Sequence, residues 1–285
     1  MALPEGIDAA TVLEVIVDAA KKAGHIIREH AGVGKVAATK ADAKDLVTEY
    51  DTAAQRTAEG IIKARLPTCR ILGEEDVPAG SAAAAAAIDE AAAAPLLAII
   101  DPIDGTTNFV CGLPASVVSI GVAAKGVMVA AAVYDPHRDD MYTALVGAGA
   151  FVNGEPIHVA AATELSAAVL AFGTHHDTKI GVTMLKGVES LLDTTRGVRS
   201  FGTAALHLCW VARGWLTGFW ELDLCVWDVC AGSLLVQEAG GKVTDTRGEP
   251  FSLRMRDTFA SNGAPAVHDG VLESLARVGA DRVPE

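Results

Sequence analysis

The chain is organised around one stretch, Asp101-Pro-Ile-Asp-Gly-Thr-Thr-Asn-Phe109. The apolar run of residues 96–100 precedes it and is typical of a buried strand. Pro102 stiffens the exit from that strand and is expected to end its hydrogen-bond ladder. Asp101 and Asp104 offer hard anionic ligands for Mg²⁺, and Gly105 permits a tight turn before residues that favour a helix start. Since the amides of a helix N-terminus can bind phosphate, the stretch indicates metal-assisted phosphoryl chemistry.

The same stretch has a second interpretation. Asp-x-x-Asp-Gly also occurs in ordinary turns, where Asp and Gly are present for backbone reasons. Short motifs of this kind match by chance often enough that the stretch alone does not decide between a turn and a site. The remaining chain must supply further acids, an activating hydroxyl group and a substrate pocket.

The composition limits the class of protein. The 285 residues carry 23 Lys and Arg against 36 Asp and Glu, a formal charge of −13, which disfavours nucleic acid or an anionic membrane as a partner. No apolar run is long enough to span a membrane, and residues 1–6 resemble neither a secretory signal nor a transit peptide. Five cysteines without a C-x-x-C pair are typical of reduced thiols in an intracellular protein.

Periodicity in the first half predicts helices followed by strands. The predicted helices cover residues 7–30 and 52–66, and the predicted strands cover residues 70–73, 117–124, 127–134 and 141–146. Asp8 is the expected cap of the first helix. Residues 81–95 are almost all alanine and are predicted to form a surface excursion with little to pack against.

The second half alternates between strands and helices. Predicted strands cover residues 167–172, 198–201, 216–220 and 242–246, and predicted helices cover residues 177–192, 203–212, 228–239 and 269–278. No linker or repeat is visible, so we expect an α+β protein with two intimately packed subdomains, residues 1–150 and 151–285.

Acidic residues recur at the ends of apolar elements, where they can converge on one cleft. They are Asp51, Glu74, Asp101, Asp104 and Asp228. Asp228 is equally compatible with a helix N-cap. A cluster of carboxylates repels itself unless cations are present, and oxygen ligands without His or Cys favour Mg²⁺ over zinc. No serine elbow, Walker loop or dinucleotide fingerprint is present, which favours metal-activated water over a protein nucleophile.

The central stretch resembles the signature of the inositol monophosphatase family of Mg²⁺-dependent, lithium-sensitive phosphatases. Further segments resemble that family in the same order along nearly the whole chain. They are Asp45-Leu-Val-Thr-Glu-Tyr-Asp51, Gly73-Glu-Glu75, Ser119-Ile-Gly121, Gly149-Ala-Phe-Val-Asn-Gly154, Arg199-Ser-Phe-Gly-Thr-Ala-Ala205, and Trp227-Asp228 running to Glu238-Ala-Gly-Gly241.

The resemblance implies a layered α-β-α-β-α sandwich, as in inositol monophosphatases and fructose bisphosphatases, and a role for each matching residue. Asp51 and Thr106 would be catalytic, orienting and deprotonating water. The metal ligands would be Glu74, Asp101, the carbonyl of Ile103, Asp104 and Asp228. Substrate would contact Gly105, Thr106, Thr174, Gly202, Thr203, Ala204, Glu221 and Asp228. Lys40 matches a basic residue on a loop near the metals.

The implied reaction is Mg²⁺-dependent hydrolysis of inositol monophosphates, with roughly two or three ions per site. Alternative substrates in the superfamily are L-galactose 1-phosphate, histidinol phosphate, fructose 1,6-bisphosphate and 3′-phosphoadenosine 5′-phosphate. Glu221 favours a small polyol monophosphate, because a carboxylate binds hydroxyl groups and repels a second phosphate. The resemblance also implies a cytoplasmic homodimer acting on a small phosphate monoester. A non-catalytic interaction protein on the same fold is the less favoured alternative.

The chain departs from the family pattern at three positions. Cys111 stands where a histidine is usual, Leu113 where phenylalanine is common, and His207 where asparagine is often found. None of the three is an expected ligand, so the departures concern substrate preference rather than the reaction.

Overall fold

The computed structural model describes residues 3–4, 7–32, 36–39, 46–78 and 80–284, with backbone alone for 36–39 and 46–47. Lys40 and the rest of segment 40–45 therefore lie outside the described residues. Among the described residues, no helix is both long and apolar enough to cross a membrane.

Helices and strands alternate along the described chain. The α-helices are α1 (Ala9–His30), α2 (Glu49–Arg65), α3 (Ser81–Ala91), α4 (Thr106–Cys111), α5 (Thr178–Leu191), α6 (Ala204–Ala212), α7 (Val226–Glu238) and α8 (Pro265–Arg277). The strands of the first half are β1 (Val36–Thr39), β2 (Leu46–Thr48), β3 (Arg70–Gly73), β4 (Leu97–Asp104), β5 (Val117–Ala124), β6 (Val127–Asp135), β7 (Asp140–Leu145), β8 (Gly149–Val152) and β9 (Glu155–Pro156). Those of the second half are β10 (Val169–Phe172), β11 (Gly197–Arg199), β12 (Gly218–Glu221), β13 (Lys242–Thr244) and β14 (Thr258–Ser261).

Two large sheets organise the fold. One has seven strands in the order β3-β4-β5-β6-β7-β8-β9, and the other has five in the order β11-β10-β12-β14-β13. In the larger sheet only β3 and β4 run parallel, whereas in the smaller sheet β10 is parallel to both β11 and β12. Strands β8 and β9, which lie around residue 150, belong to the larger sheet.

Three apolar clusters separate the layers. One joins α1 and α2 to the outer face of the larger sheet, and another joins α5 and α8 to the outer face of the smaller sheet. The largest lies between the sheets and contains α6 and α7. Helix α6 is buried along its whole length, which explains its apolar sequence. The order is α-β-α-β-α, so the predicted fold class is confirmed.

Most predicted elements occur at the expected places, with ends that shift by a few residues. Asp8 does cap α1, since the amide of Thr11 donates to its Oδ1 at 2.7 Å. Strands β1, β2, β8, β9 and β14 were not predicted, because each is only two to four residues long.

The alanine-rich segment departs from the prediction. It forms α3, and Ala84, Ile88 and Ala91 are buried in the cluster between the sheets. These residues recur at helical spacing, so small alanine side chains on one face allow the helix to approach the sheet closely. The expectation that residues 81–95 form a surface excursion with little to pack against was wrong.

Strand β4 also departs from the prediction. It continues through Pro102 to Asp104 instead of ending before the proline. The pairing with β5 shifts between Asp101, which faces Ser119, and Asp104, which faces Val117. Pro102 lies within this irregularity, where the missing N–H breaks no regular ladder bond. The irregularity carries both aspartates to the same end of the sheet.

Candidate active site

Asp101 is fixed by its own turn at the end of β4. Its Oδ1 accepts a hydrogen bond from the amide of Ile103 at 3.0 Å, and the residue is only 2% exposed. The bond holds the carboxylate on the irregular part of the strand, immediately before α4. Asp101 is therefore placed by local backbone geometry as the sequence motif predicts.

Asp104 is held by a different part of the chain, the start of α6. Its Oδ2 accepts hydrogen bonds from Thr203 Oγ1 at 2.5 Å and from the amide of Ala205 at 2.7 Å. The amide of Ala204 lies 3.3 Å from Oδ1. The positive end of the α6 dipole thus faces a carboxylate from the other half of the molecule.

Thr106, the first residue of α4, lies beside Asp51. Its hydroxyl group is 3.3 Å from Asp51 Oδ1 and 3.1 Å from the carbonyl oxygen of Ile103. The other oxygen of Asp51 accepts bonds from the amide and hydroxyl groups of Thr48, at 2.7 and 2.5 Å. Asp51 is therefore oriented with one oxygen directed at Thr106. The two predicted catalytic residues are in contact, although they are 55 positions apart.

Asp228 has the same local arrangement as Asp51. Each is the third residue of its helix, and Asp228 Oδ2 accepts a 2.6 Å hydrogen bond from the amide of Cys225. The helix begins at Val226, so the interpretation of Asp228 as an N-cap was wrong; Cys225 occupies that position. The capping box fixes one carboxylate oxygen of Asp228.

The carboxylates affect one another. The pKa of Asp101 is raised well above its usual value by burial and by repulsion from Glu74, Asp104 and Asp228. Burial raises the pKa of Asp104 to about 6, against the lowering effect of its hydrogen bonds from α6. Burial and the charges of Asp228 and Asp104 raise the pKa of Glu221. Among the described residues, no Lys or Arg forms an ion pair with Asp101 or Asp104.

This donor set fits a divalent cation. Buried carboxylates that raise each other's pKa lack compensating positive charge, and an all-oxygen set suits Mg²⁺. Within the part of the chain that the structure describes, however, no three His, Cys, Asp or Glu side chains already have the arrangement that holds one ion. Asp104 and Asp228 each have one carboxylate oxygen bonded to a backbone amide.

A cavity of about 690 Å³ adjoins these carboxylates. Among the predicted site residues, its walls include Glu74, Asp104, Thr174, Gly202, Thr203, Ala204, Glu221 and Asp228. The others are not among its lining residues: Asp51, Asp101, Ile103, Gly105 and Thr106. Thr106 contacts Asp51 and the carbonyl oxygen of Ile103. Asp101 is repelled by Glu74, which does line the cavity. The chain thus brings together residues from both halves of the sequence.

Glu221 also lines the cavity. It ends β12, is 8% exposed, and packs directly over Gly173, the residue after β10. A Cβ atom added at Gly173 would lie 1.7 Å from the carboxyl carbon of Glu221. Gly173 therefore leaves the space that the Glu221 carboxyl group occupies.

Two adjacent histidines make polar and ring contacts. His175 Nε2 lies 3.7 Å from Asp223 Oδ2, and its Nδ1 accepts a hydrogen bond from the amide of Asp177 at 3.0 Å. The rings of His175 and His176 stack with their centroids 4.2 Å apart. Both histidines line the cavity.

Sequence reasoning missed Asn108, Gly173 and Asp223. Asn108 belongs to the central stretch, but its role becomes visible only through its bonds to the carbonyl oxygens of Ala115 and Phe201, at 2.7 and 2.6 Å. Gly173 directly follows a predicted strand, and a glycine there can indicate that another group approaches the backbone closely. Asp223 gave no signal in the sequence.

The layered fold and the carboxylate-lined cavity define a metal-dependent phosphoric monoester hydrolase. The chain belongs to the inositol monophosphatase family, whose sequence model matches residues 8–280.

Individual relatives agree with this assignment. The chain is 41% identical to tomato (Solanum lycopersicum) inositol monophosphatase 3 over 253 residues, which covers 88% of this chain and 91% of the relative. It is 38% identical to the Nus factor SuhB of Pseudomonas aeruginosa, and the match covers 88% of this chain and 91% of that protein. The chain is also 35% identical to the chloroplastic phosphatase IMPL1 of Arabidopsis thaliana, covering 95% of this chain and 71% of that protein.

Solved structures give the same result. The extragenic suppressor protein SuhB of Bartonella henselae superposes with a TM-score of 0.83 at 34% identity, covering 93% of this chain and 98% of that one. The Thermotoga maritima IMPase superposes with a TM-score of 0.81 at 32% identity, covering 94% and 98%.

Proposed function

We propose that this protein hydrolyses myo-inositol 1-phosphate to inositol and phosphate in a Mg²⁺-dependent reaction. The observation that carries the proposal is the contact between Thr106 and Asp51 beside the buried carboxylates Asp101 and Asp104. It provides a proton acceptor, a hydroxyl group and a cation-binding cluster at one end of a cavity large enough for a sugar-sized monoester.

Asp51 and Thr106 would activate the attacking water. Thr106 Oγ1 donates its hydrogen to Asp51 Oδ1, which leaves an oxygen lone pair free to accept a proton from water. The bonds from Thr48 to the other oxygen hold Asp51 with its Oδ1 directed at Thr106. The proton taken from water thus passes through the Thr106 hydroxyl group to Asp51.

Glu74, Asp101, Asp104, Asp228 and the carbonyl group of Ile103 would hold the metal. Mg²⁺ bound there would neutralise the negative charge on the phosphoryl oxygens and stabilise the leaving alkoxide. The amides of Gly105 and Thr106 begin α4 and would bind the phosphate. Gly105 has a positive φ of +89°, and an added Cβ would lie 2.9 Å from the carbonyl oxygen of Ala115, so this turn needs glycine.

A further part of the cavity wall would recognise the leaving alcohol. Thr174, Gly202, Thr203, Ala204 and Glu221 line it. Glu221 can accept hydrogen bonds from hydroxyl groups of a polyol, and its negative charge disfavours a second phosphate at that place. These properties support a small polyol monophosphate over a bisphosphate or a phosphorylated nucleotide.

A phosphate-release assay tests the proposal. The purified protein should hydrolyse myo-inositol 1-phosphate faster than L-galactose 1-phosphate, histidinol phosphate, fructose 1,6-bisphosphate or 3′-phosphoadenosine 5′-phosphate. Turnover should require Mg²⁺ and should fall when Li⁺ is added. Much faster hydrolysis of a bisphosphate or of the nucleotide would contradict the substrate assignment while leaving the reaction type intact.

A second candidate is an interaction role without catalysis, favoured by the similarity to a relative named as a Nus factor. The contact of Thr106 with Asp51 argues for retained catalysis, since a scaffold has no need of it.

Light scattering of the purified protein separately tests the homodimer, which the family resemblance implies.

A further inference from the structure

Residues 201–203 form the segment that delivers the start of α6 to Asp104. Gly202 adopts a positive φ of +71°, and Thr203 follows as the cap of α6. Thr203 Oγ1 and the amides of the next two residues are the donors that face the Asp104 carboxylate. Any displacement of this segment would therefore change the position of Asp104.

His207 holds the segment from the interior. It lies in the second turn of α6, is fully buried, and its Nε2 accepts a hydrogen bond from the amide of Phe201 at 3.1 Å. Burial lowers the pKa of His207 to about 3, so the ring is neutral. A neutral ring that accepts at Nε2 carries its proton on Nδ1. The ring stacks on Phe219 with centroids 4.7 Å apart.

Asn108 holds the segment from the other side. Its side-chain amide donates to the carbonyl oxygen of Phe201 at 2.6 Å and lies 3.4 Å from that of Gly202. Phe201 is therefore bound at its amide by one side chain and at its carbonyl group by another. Asn108 belongs to α4, so it also ties this segment to the helix that carries Thr106.

A purely space-filling role would not require a histidine at position 207. Within the part of the chain that the structure describes, His207 Nδ1 is a buried nitrogen without a hydrogen-bond partner, and an unpaired buried donor destabilises the fold. An apolar ring could stack on Phe219 without that cost. The feature that an apolar ring would lose is the hydrogen bond to Phe201.

We propose that His207 and Asn108 are positioning residues, which lock residues 201–203 so that Thr203 and Ala205 hold Asp104 in the orientation that binds Mg²⁺. The inference rests on the proposed function, because it takes Asp104 as a metal ligand. Neither residue is proposed to touch the metal itself.

The chain offers a matched control in His268. This residue is also buried, accepts or donates hydrogen bonds with Thr244 and Ser261, and stacks on Phe259 at 4.7 Å. It packs in α8, outside the cavity walls. Replacing His268 by Phe removes the same chemical group from a similar environment without touching the segment beside Asp104.

The experiment measures Mg²⁺ binding to the full-length protein by calorimetry, together with kcat and KM. His207→Phe and Asn108→Leu should each weaken Mg²⁺ binding by about tenfold, as loss of a group that orients a ligand does. His207→Gln should restore much of the affinity because its carbonyl oxygen can accept from Phe201, and His268→Phe should bind Mg²⁺ like the wild type.

The proposal would be overturned if folded His207→Phe and Asn108→Leu bound Mg²⁺ as tightly as His268→Phe does. If His207→Phe did not fold, wild-type affinity in Asn108→Leu would still overturn it. Failure of the wild type to bind Mg²⁺ would instead contradict the proposed function on which the inference rests.

Discussion

The two sides of the cavity are built in different ways. On the reaction side, Asp51, Asp101 and Asp228 each accept a hydrogen bond from a backbone amide two or three residues away. On the recognition side, Glu221 is placed by Gly173, which belongs to a neighbouring strand. Local bonds determine most of the reaction side, whereas contacts between distant segments determine the recognition side.

Asp104 lies between these two kinds of construction. It belongs to the central stretch, but its hydrogen-bond donors come from α6, about 100 positions away. The difference implies that substitutions on the reaction side should reduce the rate of the chemical step. Substitutions on the recognition side should change which alcohol is accepted. The position of Asp104 should change on substitution in either half of the chain, because its hydrogen-bond donors come from α6.

The largest effect is expected for Asp104→Asn. Loss of one ligand charge should reduce kcat on the order of 10³-fold and raise the Mg²⁺ requirement, since metal ions supply several kcal/mol of transition-state stabilisation. Circular dichroism should show a folded protein. Asp193→Asn, on the exposed loop after α5, is the control and should retain full turnover. Undiminished activity of Asp104→Asn would show that this carboxylate is no part of the reaction side.

The metal-free protein should lose stability as the pH rises. The folded state holds the Asp104 proton with a pKa of about 6 against 3.8 for an unperturbed group, so the folded state binds more protons in this window. A shift of about two units corresponds to about 3 kcal/mol, lost between roughly pH 4 and pH 6. Urea unfolding in EDTA at several pH values measures it.

Two comparisons sharpen this pH test. Saturating Mg²⁺ should abolish most of the loss, because the ion neutralises the ionised carboxylates. Asp104→Asn should reduce the slope in EDTA and leave the contributions of Asp101 and Glu221. Equal pH slopes for the wild type and Asp104→Asn in EDTA would be incompatible with the raised pKa of Asp104.

Thr106→Val should reduce kcat about 10²-fold, since general base catalysis typically contributes at least that much. Valine has nearly the shape of threonine but cannot pass a proton to Asp51. Thr163 is exposed in the loop between β9 and β10 and does not line the cavity, so Thr163→Val is the control. Equal rates for the two variants in steady-state assays would remove Thr106 from the mechanism.

Gly173→Ala should give the smallest effect and should act on recognition. The added methyl group displaces the Glu221 carboxyl group, so KM for inositol 1-phosphate should rise about tenfold while kcat changes less. Gly60→Ala is the control, because a Cβ at Gly60 meets no atom within 4 Å. If kcat fell instead and KM stayed constant, Glu221 would belong to the reaction side and the distinction between the two sides would fail.

The sequence predicted the reaction side well for a physical reason. Asp51 and Asp228 lie at the starts of helices, and Asp101 lies in its own turn, so short-range rules of capping and turn formation locate them. The periodicity of residues 7–30 predicted helix α1 for the same reason. The family resemblance added the pairing of Thr106 with Asp51, which no short-range rule provides.

Other features escaped prediction because they depend on packing. Helix α3 has an alanine-rich sequence that is compatible with a solvated excursion, and only the neighbouring sheet shows that Ala84 and Ile88 are buried. The continuation of β4 through Pro102 depends on an irregular pairing with β5, which sequence periodicity does not reveal.

By itself the sequence determined the α+β class, the central stretch and the acids at the ends of its elements, because hydrophobic periodicity and capping act over a few residues. The layered arrangement was implied by the family resemblance. Only the tertiary structure decided that α6 holds Asp104, that Gly173 makes room for Glu221, and that His207 and Asn108 bind the same segment. These contacts join residues that the chain separates widely, so they exist only after the two sheets and the helices between them have packed together.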